Sequence, residues 1–173
     1  GGSSSSFLIG ALNRRLPSSG TNRFPVGSSG RYKLTNLITP SVNSQYWKVK
    51  YLDGNLGAGY YDPVNYDSPI EMVSGSEYWV INGPNTATVT IELSLTGTSD
   101  IAAALGEANK DDLRIVRWNP GTSKWEIVGS GSTVSGPYNN GTITTDNPVT
   151  FDGTDQYFTL ASVEVITLPT AQF

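Results

Sequence analysis

The 173-residue chain contains no cysteine and no histidine. Without cysteine there is neither a disulfide framework nor a thiolate metal site, so folding rests on packing and hydrogen bonds. Without histidine the chain lacks the commonest zinc ligand and the usual general base near neutral pH. Ser-His-Asp, Cys-His and HExxH chemistries are therefore excluded, which leaves carboxylate-only mechanisms and oxygen-ligated metals. Charge is scarce as well: 15% of residues carry it, the net charge is −4, and no basic stripe of the kind nucleic acid requires is present. No apolar run approaches the roughly 18 residues of a membrane-spanning helix, so no membrane insertion is expected. The opening GGSSSSFLIG lacks the basic lead and long apolar stretch of a signal peptide, and any export signal is expected outside this chain.

What is present is a repeated texture of short alternating runs punctuated by Gly, Pro, Asn, Asp and Ser. That pattern predicts an all-β, antiparallel β-sandwich, Ig-like or jelly-roll-like, as a single domain over 1–173. A chain of this length buries roughly 70% of its unfolded surface, enough for a core without covalent staples. The clearest strand runs from Thr86 to Leu95, where Ala87, Val89, Ile91, Leu93 and Leu95 face one way and Thr88, Thr90, Glu92 and Ser94 the other. The clearest hairpin spans Leu113 to Val128. Pro120 and Gly121 suit a type II turn with positive φ at Gly121, and Trp118 and Trp125 flank it as a cross-strand pair. Further strands are predicted at 7–12, 31–36, 46–52, 78–81, 142–145 and 157–166. At most one short helix is expected, near residues 101–109, and polar surface loops are expected at 53–69 and 129–141.

Several stretches in order resemble a β-sandwich module of large Bacteroidetes surface proteins exported by the type IX secretion system. They are the serine-rich lead GGSSSSFLIGALNRRL, FPVG at Phe24–Gly27, GRYKL at Gly30–Leu34, EYWVI at Glu77–Ile81, DLRIVRWNPGTSKWEIVG at Asp112–Gly129, and YFTLAS at Tyr157–Ser162. The closing LPTAQF resembles the junction that leads into a following domain, such as a sorting domain. The resemblance implies an extracellular or cell-surface location and neighbouring domains in a longer chain as partners. It implies no activity of its own.

Candidate chemistry falls into four groups. Trp47, Trp79, Trp118 and Trp125 lie in predicted strands, where aromatics ordinarily serve as core or cross-strand partners. Tyr60, Tyr61, Tyr66 and Tyr138 lie in predicted loops and are the better candidates for a ligand platform such as a sugar-stacking surface. Among loop acids, Asp53, Asp152 and Asp155 are candidates for calcium, against the simpler reading that Asp caps its own turn. No spacing completes a calcium loop, and no other cofactor is indicated. A glycosidase needs two carboxyl groups across a cleft, and nothing in the spacing pairs any two of the glutamates. Arg14, Arg15, Arg31, Lys33, Lys48 and Lys50 are expected to solvate strand faces and protect edges.

Both ends are strand-forming, so residues 1–20 are either an N-terminal extension or a strand exchanged between copies in a filament. The expectation is a non-catalytic structural or adhesion module of a cell-surface or secreted bacterial protein. The alternatives are a carbohydrate-binding module and a filament subunit built by β-strand addition.

Overall fold

The computed structural model describes residues 6–54 and 63–164. The first strands are β1 (Leu8–Ile9), β2 (Ala11–Leu16), β3 (Thr21–Ser28), β4 (Arg31–Ile38) and β5 (Gln45–Asp53). They are followed by β6 (Met72–Val73), β7 (Glu77–Asn82) and β8 (Thr88–Ser94), then α1 (Asp100–Leu105) and a 3-10 turn at Lys110–Asp112. The chain continues through β9 (Leu113–Asn119), β10 (Lys124–Ile127), β11 (Ser132–Ser135), β12 (Thr142–Thr145), β13 (Val149–Thr150) and β14 (Gln156–Ser162). One sheet has the order β1-β3-β4-β8-β12-β11, with β13 also on β8. The other runs β10-β9-β14-β7-β5-β2, with β6 on β14. The protein is an all-β sandwich in which every strand pair is antiparallel except β1 with β3.

The alternating pattern of β8 sets which face is buried. Val89, Ile91 and Leu93 are fully buried, while Thr88, Thr90, Glu92 and Ser94 stay partly exposed on the other face. Across the gap, Trp47, Val49 and Tyr51 of β5 and Trp79 and Ile81 of β7 close the core from the opposite sheet. Trp47 meets Phe151 edge-on at 5.1 Å, and Tyr51 meets Trp79 in the same way at 5.2 Å. Gly83 lies under the Trp47 ring, where a side chain could not fit. A smaller cluster covers the outer face of the second sheet, where Ile70 and Val73 pack on Val116, Trp125 and Ala161.

Several expectations needed correction. The run at 7–12 is two strands, because Gly10 adopts φ of 121° and sends the chain from β1 on one sheet to β2 on the other. Strand β3 is a strand beyond those expected, since Pro25 and Gly27 interrupt its alternating pattern. Pro is tolerated there because β1 pairs only with Val26 and Gly27, which leaves Pro25 beside an edge. The β9–β10 turn is a four-residue loop between paired Asn119 and Lys124, with the positive φ at Ser123 rather than Gly121. The Asn119 side chain accepts the Gly121 N–H at 2.9 Å in place of the type II geometry. The stretch 129–141, expected as a loop, contains β11, and residues 63–73 lie along the second sheet, ending in β6. The expected strand at 157–166 ends as β14 at Ser162, and its last two residues lie outside the described residues.

Lys33 is the clearest departure. Expected on a solvated face, it is fully buried between the sheets, because β4 turns Lys33, Thr35 and Leu37 inward. Its Nζ lies 2.6 Å from Oε2 of Glu77 on β7, both side chains having no solvent exposure. The helix is as expected: α1 stops at Gly106, whose φ of 66° suits glycine.

Candidate functional site

A concavity lies where β9, β14 and the β13–β14 turn converge. It is a half-open cleft of about 680 Å3, within the range of small-ligand sites. Strand β9 contributes Arg117, Trp118 and Asn119, and β14 contributes Gln156 and Tyr157. Phe158 pairs with Arg117, so antiparallel register sets Tyr157 beside Trp118. Thr150, Phe151, Asp152, Thr154 and Asp155 form the opposite wall. Phe151 belongs to the core and closes the floor.

Two half-buried aromatic rings dominate the apolar part. Trp118 packs edge-on against the buried Trp125 at 5.5 Å, which holds the indole upright on its strand. Tyr157 lies 6.4 Å from Tyr78, and the Tyr78 hydroxyl is pushed up by burial and by its Tyr157 neighbour. The flat polar groups are fixed too. Arg117 Nη1 donates to the Thr150 carbonyl and to Gln156 Oε1, both at 3.2 Å, and Asn119 Nδ2 donates to Glu126 Oε1 at 2.7 Å.

The two acids are held in the ionised state. Asp152 Oδ1 accepts the Thr154 hydroxyl at 2.7 Å and the Thr154 N–H at 2.9 Å, and these bonds hold its carboxyl below the usual range. Burial pushes the Asp155 carboxyl up, but bonds from Lys48 and Asn82 outweigh it and the net shift is downward. Lys48 Nζ lies 2.5 Å from Asp155 Oδ1, and Asn82 Nδ2 donates to the same oxygen at 2.8 Å.

The candidates read from sequence scatter. Tyr60 and Tyr61 lie outside the described residues. Tyr66 is half-buried in the outer cluster, its hydroxyl donating to the Glu71 carbonyl at 2.6 Å, and Tyr138 packs against the main core. Neither lines the cleft. Asp152 and Asp155 do, whereas Asp53 sits opposite Glu77, five residues along β5 from Lys48 and so about 17 Å away. The three acids do not form one coordination shell, and among the described residues no group of three metal-capable side chains converges. Away from the cleft, Glu164 is pushed up by a hydrogen bond with Asp112, on an open surface.

The four tryptophans are expected to pack within the sheets. That holds for Trp47, Trp79 and Trp125, which are buried, and for Trp118, which packs on Trp125 across the β9–β10 hairpin. Trp118 is only half-buried because it stands near the end of β9, and its position just before the NPGT loop was the available signal. Tyr157 lies two residues after Asp155, which is a second signal.

No helix among the described residues is long and apolar enough to cross a membrane. The class the fold defines is a two-sheet, all-β sandwich with a cleft at one strand end. Comparison with protein-family models, curated proteins and solved structures finds no match.

Proposed function

We propose that this chain is a non-catalytic adhesion module of a cell-surface or secreted protein, and that its cleft binds a glycan. The observation that carries this reading is the pairing of Trp118 and Tyr157 with a rim of planar polar groups from Arg117, Asn119, Asp152, Asp155 and Gln156. Flat apolar faces beside fixed amide and carboxylate groups suit a sugar ring, which is apolar on its faces and hydroxylated at its edge. Because the rings stand on paired strands and each polar group already has a partner, the surface is preorganised and little order is lost on binding. A recognition role also agrees with the state of the acids. A glycosidase needs one carboxyl raised to act as proton donor, and both cleft carboxyls are shifted the other way.

The test is retention on a glycan array and on insoluble polysaccharides. The wild-type chain is expected to bind at least one glycan. Trp118→Ala and Tyr157→Ala should each weaken that binding about tenfold or more, as loss of a central aromatic anchor does. Tyr46, which is exposed and outside the cleft, serves as the control, and Tyr46→Ala should bind as wild type does. Absence of retention on every glycan, or equal retention by all variants, sinks the proposal.

A further inference from the structure

The glycan reading makes no use of the chain's most enclosed chemistry, the amine and carboxyl between the sheets. Lys33 Nζ is 2.6 Å from Glu77 Oε2 and donates to Ser99 Oγ at 2.7 Å. The Tyr51 hydroxyl donates to the same Oε2 at 3.1 Å. Among the described residues Glu77 Oε1 has no hydrogen-bond partner. The rings of Tyr51 and Trp79 lie 5.6 and 5.8 Å from Nζ and wall the pair off from solvent.

We propose that Lys33 and Glu77 condense to an intramolecular amide that joins β4 of one sheet to β7 of the other. Three features of the geometry argue for the reaction. First, amine and acid are held in contact, with Nζ 2.6 Å from Oε2, so no encounter is needed. Second, an enclosed ion pair with an unsatisfied carboxylate oxygen is an expensive ground state, and an amide carries no charge to desolvate. Third, burial pushes the Lys33 ammonium down, which favours the neutral amine that attacks.

In the step itself, a proton passes from the ammonium to the carboxylate to give amine and carboxylic acid. The Nζ lone pair attacks Cδ of Glu77, the Nζ–Cδ bond forms and one Cδ–O bond breaks. That oxygen leaves as water, taking the acid proton and one amine proton. Nothing is oxidised or reduced, and no co-reactant is required. Tyr51 is a positioning residue that polarises the carboxyl through its bond to Oε2, and Ser99 orients the amine. The product supplies, in a chain without cysteine, a covalent tie between the two sheets.

Intact-mass spectrometry of the denatured, purified chain decides the matter. The expected mass is lower than that of the sequence by one water. A tryptic map should then show no cleavage after Lys33 and one branched peptide carrying both Lys33 and Glu77. Lys33→Met should restore the full mass expected for its sequence, and Tyr51→Phe should leave a larger share of the chain unlinked. If wild type has its full mass and is cleaved after Lys33, the proposal is overturned. A deficit that persists in Lys33→Met overturns it equally, since the water would then come from elsewhere. Should Lys33→Met fail to fold, the wild-type mass and peptide map are sufficient.

Discussion

Gly83 shows how tightly single residues are constrained here. A Cβ built on it would lie 2.2 Å from the Trp47 ring, whose edge is packed in turn against Phe151. The ring is fully buried and cannot swing aside without opening the core. Gly83→Ala is therefore expected to cost about 1–3 kcal/mol, the usual result of overpacking. Urea denaturation followed by tryptophan fluorescence measures it, and a loss below about 0.5 kcal/mol would mean that the core yields more easily than its packing implies. The constraint was invisible in the sequence, where Gly83 reads as an ordinary loop glycine before Pro84. The same holds for Lys33. One lysine among alternating β4 residues looks like a solvated strand face, and only the arrival of Glu77 from the other sheet makes its burial tolerable.

At the scale of the element, the turn between β13 and β14 joins core to cleft. Phe151 is anchored inside, and from Asp152 to Asp155 the chain is exposed and held by its own side chains. Both acids have folded pKa values below the ordinary carboxylate value of 3.8. Their contribution to stability is therefore complete above the unfolded pKa and is lost as pH falls through the lower, folded one. Asp155→Asn should start less stable at neutral pH and lose less than wild type as pH falls below about 4. Denaturation midpoints at neutral pH and in acid read the difference, and parallel acid limbs would show that the Lys48 and Asn82 bonds contribute nothing in solution. The turn role of Asp152 was legible beforehand, because Asp followed by Gly and Thr is a side-chain-capped bend. The partnership of Asp155 with Lys48 was not, since 107 positions separate them.

For the whole molecule, the order of strands matters more than their number. Strand β2 pairs with β5, β4 with β8 and β7 with β14, so each sheet is closed by segments distant in sequence. Such pairings require long loops to close before contacts reward them. Refolding from denaturant is expected on the millisecond-to-second scale of non-local β proteins. Stopped-flow tryptophan fluorescence would follow it, and completion within microseconds would contradict this topology. The same topology explains the cleft, since β9 and β14 become neighbours only when the second sheet assembles and bring Trp118 beside Tyr157.

The sequence by itself determined the class of fold and most of the strands, because period-two burial is a local property written residue by residue. It determined the cross-strand pairing of Trp118 with Trp125 for the same reason, since a hairpin joins near neighbours. Tertiary structure alone decided that Gly10 would divide one apparent strand between two sheets and that Lys33 would meet Glu77. It also decided that the cleft between β9 and β14 would use strand aromatics rather than Tyr66 and Tyr138. Those outcomes depend on which distant strands lie side by side, a quantity that no local pattern of residues contains.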